Sequence, residues 1–118
     1  MEIKTTIDSF LPLTEATFFI LLSLSPGPTH GYAIMKSVEQ MSAGRVTFST
    51  GTLYGAIRRL LDQGWIVRKG EDEENGKEQS RSRKDYELTS LGRSILIADI
   101  SRMETLVKLS ASYTKKEV

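Results

Sequence analysis

The sequence predicts a mainly α-helical fold with one small β-hairpin. Three observations carry this. Apolar residues recur at helical spacing between Tyr32 and Met41 and between Leu53 and Leu60. Trp65-Ile66-Val67 and the alternating Asp85-Tyr86-Glu87-Leu88 flank a polar stretch that contains the turn signal Asn75-Gly76. Leu96, Ile100, Met103 and Val107 form a stripe spaced 4, 3, 4 along a final long helix.

The elements follow in order. Residues 1–12 read as an arm or short first helix ending at Leu11-Pro12. Thr14 is placed to cap the next helix, with Glu15 in its first turn, where the helix dipole favours an acid. That helix, Ala16 to Leu24, is apolar nearly all round and so predicts burial on more than one face. Ser25-Pro26-Gly27-Pro28 stops it, because proline cannot continue the hydrogen-bond ladder.

A second helix is expected from Thr29 or His30 to about Ser42. Tyr32, Ile34, Met35, Val38 and Met41 make its inner face, and Ala43-Gly44 ends it. Val46-Thr47-Phe48 reads as extended. Ser49 or Thr50 then caps a third helix, which Gly64 terminates. Thr89 caps the last helix, expected to reach about Ser112 and to measure about 35 Å.

Helix, helix, helix, hairpin, long helix is the order of a winged helix-turn-helix. Residues 1–88 are assigned to that unit, with 1–12 as its arm, and 89–118 to a C-terminal dimerisation helix and tail.

Composition sets the limits. The 118 residues suit one compact domain. Hydrophobic residues at 39% and charged residues at 26% are ordinary for a globular protein, so wholesale disorder is not expected. There is no cysteine, which excludes disulfides and thiolate metal sites. No apolar run approaches the roughly 20 residues of a membrane helix, and no secretory signal is legible, so the expected location is the cytoplasm without membrane contact. The formal net charge of +1 does not by itself argue for a nucleic-acid partner; distribution matters more.

The third helix carries the sharpest signal. At about 100° per residue, Leu53, Ala56, Ile57 and Leu60 share one face and belong in the core. The opposite face holds Gly51, Gly55, Arg58, Arg59 and Thr52, with Tyr54 on the flank. A glycine inside a helix costs about 1 kcal/mol relative to alanine. Two on one outer face suggest close approach by a partner, and a duplex groove fits. Ser49, Thr50, Thr52 and the helix N-terminal amides suit phosphate oxygens. Tyr54 suits a phosphate or sugar, and Arg58 and Arg59 suit phosphates or a guanine edge. For any single residue, a solvated face is an equally good account; the whole face together favours double-stranded DNA.

The hairpin divides by charge. Glu71, Asp72, Glu73 and Glu74 are acidic, whereas Lys77, Arg81, Arg83 and Lys84 make its second half basic. The basic half suits a minor groove or backbone, although plain solvation of a loop tip accounts for each of these residues alone. The acidic half does not match a calcium-loop spacing.

Other residues read more simply. His30 is expected to cap or brace the second helix, Tyr32 to pack between helices, and Trp65 to pack in the core. Met35, Met41 and Met103 read as core filler. No cofactor, metal or catalytic constellation is legible, so an enzyme is not expected.

Several strings resemble the PadR-like family of bacterial transcriptional regulators. Leu13-Thr14-Glu15-Ala16 with Ile20-Leu21-Leu22-Ser23-Leu24 resembles its first helix. Gly27-Pro28-Thr29-His30-Gly31-Tyr32-Ala33-Ile34 resembles its entry to the second. Gly51-Thr52-Leu53-Tyr54, Arg59-Leu60-Leu61 and Gly64-Trp65-Ile66 resemble its recognition helix and first wing strand. Tyr86-Glu87-Leu88-Thr89-Ser90-Leu91-Gly92 resembles its passage into the last helix. The matches run from about residue 13 to 107. Ile57 and Trp65 each stand where the family has leucine, and the acidic tip is not a family hallmark. The resemblance implies a homodimer packed through the last helix, by Leu96, Ile100, Met103 and Val107, with two recognition helices on a pseudo-palindromic operator. It looks like the compact branch of the family, some members of which release DNA on binding a small apolar or aromatic effector. The leading expectation is a repressor. The alternatives are a small-molecule sensor with a dimer cavity and a winged helix that binds protein.

Overall fold

The computed structural model describes residues 6–69 and 84–114. Among the described residues, helical backbone at 6–8 is followed by α1 (Glu15–Leu24), β1 (Thr29–His30), α2 (Gly31–Met41), α3 (Thr50–Gln63), β2 (Ile66–Lys69), β3 (Asp85–Leu88) and α4 (Ser90–Thr114). The fold is a winged helix-turn-helix. The acidic tip and the basic residues Lys77, Arg81 and Arg83 lie outside the described residues, as does Asn75-Gly76.

The helix starts follow from capping chemistry. The Thr17 N–H donates to Thr14 Oγ1 at 3.1 Å, and the Thr52 N–H to Ser49 Oγ at 3.1 Å. The Gly92 N–H donates to Thr89 Oγ1 at 3.0 Å. Each bond satisfies an amide that the helix itself leaves without an acceptor. His30 does the same for α2, where the Ala33 N–H donates to His30 Nδ1 at 3.3 Å. The capping role expected of this histidine is therefore present, although α2 begins at Gly31.

The sheet corrects the two-stranded expectation. It has three strands in the order β1-β3-β2, all antiparallel. Thr29 pairs with Tyr86 and His30 with Asp85; on the other side Ile66 pairs with Leu88 and Lys69 with Asp85. A two-residue strand has no periodicity of its own, so Thr29-His30 reads locally only as the start of α2. Among the described residues Val46-Thr47-Phe48 has no strand partner; Val46 and Phe48 instead pack against the core.

The core draws on every layer. Ile20, Leu21 and Leu24 of α1, Ile34 and Val38 of α2, and Leu53, Ile57 and Leu60 of α3 are buried with Trp65, Ile66, Tyr86, Ile95 and Leu96. Ile7 of the arm joins them, and the ring of Phe10 meets that of Trp65 edge-on at 5.2 Å between centroids. Ile7 and Phe10 of the arm thus lie against the body. Tyr32, expected between helices, is 60% exposed, with Lys36 Nζ 5.8 Å from its ring centroid. Met41 is also exposed. The inner face of α2 is narrower than its apolar residues suggested: Ile34 and Val38 are its fully buried apolar side chains, and Met35 packs at its edge.

One junction joins three elements. Gly64 takes the left-handed conformation (φ 80°) and ends α3, and the Trp65 N–H donates back to the Leu60 carbonyl at 3.0 Å. The Thr89 N–H donates to the Trp65 carbonyl at 3.0 Å, while its hydroxyl donates to the Gly64 carbonyl at 2.6 Å. The first turn of α4 therefore sits against the turn that ends α3. Gly92 makes this fit: a methyl group there would overlap the Trp65 carbonyl oxygen.

At the far side of the helical layer, Arg45 Nη1 lies 2.7 Å from Glu15 Oε1. This hydrogen bond holds the Glu15 carboxyl below its ordinary pKa. Both groups are exposed, so the pair is a light tether between the α2–α3 turn and α1.

The Gly92→Ala variant is expected to lose about 1–3 kcal/mol of stability in urea denaturation, because the added methyl meets backbone. An unchanged midpoint would show that α4 can shift away from Trp65 freely.

Candidate nucleic-acid interface

The outward face of α3 is built by its inward one. Burial of Leu53, Ala56, Ile57 and Leu60 fixes the helix rotation, and that turns Thr50, Gly51, Thr52, Arg58 and Arg59 to the exterior. Gly55 is half-buried and Tyr54 is 39% exposed.

The start of α3 has directed polarity. Ser49 Oγ accepts from the Thr52 N–H and donates to Thr52 Oγ1 at 3.0 Å. The Thr52 hydroxyl is left with its own proton to donate. Thr50 and Gly51, exposed at the first two helical positions, keep amides with no acceptor in the helix. Together with the positive end of the helix dipole, these donors favour an anion.

The two glycines lack an internal cause. Apart from its own helix backbone, a Cβ at Gly51 or Gly55 would meet nothing within 4 Å, and neither residue has a positive φ. The protomer therefore does not need glycine at either place. Gly31 is the opposite case: a Cβ there would overlap the hydroxyl of Tyr54 and lie 2.7 Å from its Cζ. The missing side chain of α2 lets the Tyr54 ring lie across the start of that helix, which couples the two helices and holds the tyrosine at the edge of the exposed face.

Arg58 and Arg59 form no ion pair among the described residues. They point differently, however. Arg59 shares a helix side with Ala56, Leu60 and Gln63, and all four line a pocket against the N-terminal arm. Arg58 lies on the side of Gly51 and Gly55. Lys84, at the base of the wing, is exposed.

A family model for the transcriptional regulator PadR-like family matches residues 20–98, from α1 into α4. The chain belongs to the PadR-like family of transcriptional regulators. PadR-like proteins are regulators, not enzymes. The chain is 37% identical over 92 residues to an uncharacterized 37.1 kDa protein in transposon TN4556 of Streptomyces fradiae, covering 78% of this chain and 24% of that protein. It is 35% identical over 65 residues to the transcriptional regulator YqjI of Escherichia coli K12, covering 55% of this chain and 30% of that one. The chain thus spans under a third of the length of these relatives. A solved PadR family transcription regulator from Clostridium difficile superposes with a TM-score of 0.64 at 23% identity, covering 86% of this chain and 99% of that one. That likeness shows the fold.

Within this PadR-like fold, the stripe expected to face a partner divides in two. Leu96 is only 2% exposed and belongs to the protomer's own core, because α4 lies against α1 and β3 at that point. Ile100 and Met103 are half-buried and Val107 is 46% exposed. Leu106, Leu109 and Tyr113 are exposed as well. With Phe18 of α1, the residues Ile100, Met103 and Val107 line an open groove of about 540 Å³.

Sequence reasoning passed over several polar residues. Arg68 and Lys69 are exposed on β2, with Lys69 Nζ 3.9 Å from Glu87 Oε2. Their placement beside apolar Trp65 and Ile66 was the available signal. Asp99 is 1% exposed, and Arg102 Nε donates to its Oδ1 at 2.7 Å. An acid one residue before Ile100 reads as solvent-facing until α1 is packed beside it. No helix among the described residues is long and apolar enough to cross a membrane.

Gly55→Ala is expected to raise stability by about 1 kcal/mol in urea denaturation, since the methyl has open space and alanine favours the helix. A loss of stability would mean that the protomer itself requires the glycine.

Proposed function

We propose that the chain is a sequence-specific DNA-binding transcriptional regulator, a homodimeric repressor of a pseudo-palindromic operator. The observation that carries this is the outer face of α3. It joins uncapped amides, the Thr52 hydroxyl, Arg58 without an acidic partner among the described residues, and two glycines that no described packing explains.

In this reading α3 enters the major groove by its N-terminal half. The amides of Thr50 and Gly51 and the Thr52 and Tyr54 hydroxyls take phosphate oxygens and set the register. Gly51 and Gly55 let the helix backbone approach the duplex. Arg58 reaches a base edge or a phosphate, with Arg59 as a flanking cation, and the wing base at Lys84 adds charge toward the adjacent backbone. The homodimer forms through the outer half of α4, where Ile100, Met103 and Val107 present apolar surface, and places two copies of α3 about 34 Å apart, one turn of DNA. Location in the cytoplasm follows from this role.

A second reading is a sensor of a small apolar effector. The groove beside Ile100 and Met103 favours it, since about 540 Å³ lies within the size range of ligand sites. The two readings are compatible, because an effector that binds one spacing of the α3 pair more tightly would shift the equilibrium.

Selection from a genomic fragment library tests the main reading. One enriched inverted repeat, with affinity falling steeply as salt rises, is the expected result. No enrichment by folded protein at low salt would turn the reading toward a protein partner. On the selected site, Arg58→Ala is expected to bind about ten-fold or more weakly. Gly55→Ala should also bind more weakly despite its firmer fold. A Gly55→Ala protein with undiminished affinity would remove the close approach from the mechanism. Replacing Ile100 and Met103 with Glu is expected to give monomers in sedimentation velocity; a dimer would place the interface elsewhere.

A further inference from the structure

The outer face of α2 has no part in the DNA reading as it stands. Tyr32 and Lys36 lie one turn apart on that face, both exposed. Lys36 Nζ is 5.8 Å from the Tyr32 ring centroid, so the ammonium stands beside the ring. Among the described residues Lys36 forms no ion pair, and the Tyr32 hydroxyl has no hydrogen-bond partner. Tyr54 belongs to the same patch. Its hydroxyl lies over Gly31, the residue before Tyr32, and it too has no hydrogen-bond partner among the described residues. The surface therefore runs from the outer face of α3, through Tyr54, to Tyr32 and Lys36 on α2.

The patch has one chemical character. Two phenolic hydroxyls and an ammonium all donate, and the two rings offer apolar faces beside them. Glu39, exposed one turn beyond Lys36, puts a carboxylate at the far end and so confines an anion to the first half of α2. A phosphodiester fits this set. Its free oxygens take the three donors, and its sugar lies against a phenol ring. Placement agrees, because in a helix-turn-helix the helix before the recognition helix crosses the DNA backbone.

We propose that Tyr32, Lys36 and Tyr54 clamp one phosphate of the strand bordering the groove that α3 enters. The clamp rests on the DNA reading and adds α2 to it. It touches backbone alone, so it anchors the protein without choosing a sequence.

The probe is the operator obtained by selection, beside an unrelated duplex of equal length. If folded protein selects no site, the DNA reading and the clamp fall together. With a site in hand, the remaining outcomes bear on the clamp alone. Lys36→Gln is expected to bind both duplexes about five-fold more weakly, which leaves their ratio unchanged. Its slope of log affinity against log salt should be shallower by about 2, one phosphate for each protomer of a dimer. Tyr32→Phe, which removes only the hydroxyl, should cost about three-fold on both duplexes. Both side chains are exposed, so thermal denaturation should show both variants folded like the parent. A methylphosphonate scan of the operator then finds the phosphate. Neutralising it in each half-site should weaken the parent about five-fold or more and Lys36→Gln by less than about two-fold. An unchanged salt slope in Lys36→Gln would overturn the clamp. So would a loss confined to the operator, or a methylphosphonate effect as large in the variant as in the parent.

Discussion

The geometry of the whole molecule hangs on one short set of backbone bonds. Gly64 and Trp65 end α3 and begin the wing; Thr89 and Gly92 end the wing and begin the last helix. The Thr89 amide and hydroxyl bind the two carbonyls of the first pair, and Gly92 lets the helices close to backbone contact. A rotation of α4 is therefore passed to the C-terminus of α3 without a flexible link between them. Trp65 fills the space below this junction and touches the arm through Phe10.

What was legible in the sequence was what local chemistry decides. Thr14, Ser49 and Thr89 cap where hydroxyl residues before apolar periodicity predict, and Gly64 ends α3 in the conformation that glycine favours. The core face of α3 was readable because Leu53, Ala56, Ile57 and Leu60 repeat at helical spacing. The third strand was not. Thr29-His30 pairs with Tyr86 and Asp85, more than fifty positions away, and so short a segment carries no pattern that names its partner. Tyr32 failed for a related reason: its spacing fits the inner face of α2, but α1 covers only part of that face.

The candidate site was legible to a similar depth. Helical projection placed Gly51, Gly55 and Arg58 together on the exterior, since it depends on spacing alone. It could not separate Arg58 from Arg59, because the boundary between them is drawn by the arm, a segment with weak periodicity. Nor could it foresee that Gly31 makes room for Tyr54, a contact between helices. Along α4 the stripe from Leu96 to Val107 is continuous in sequence but crosses from the protomer core to open surface at about Ile100. The buried Asp99 with Arg102 marks that crossing. A buried carboxylate is costly without a partner, so this pair constrains how the helix can rotate as it leaves the body.

The cap on α2 fixes more than a helix end. His30 uses its Nδ1 as an acceptor, which requires that nitrogen to carry no proton. While the cap is closed and the ring neutral, the imidazole exists as the Nε2–H tautomer. It is also the chain's only histidine and sits in β1, a strand of the sheet, at the entrance to α2. The molecule thus carries a single imidazole, at the corner where strand becomes helix. Its ring resonances, free of overlap from any other histidine, register whether that corner is intact.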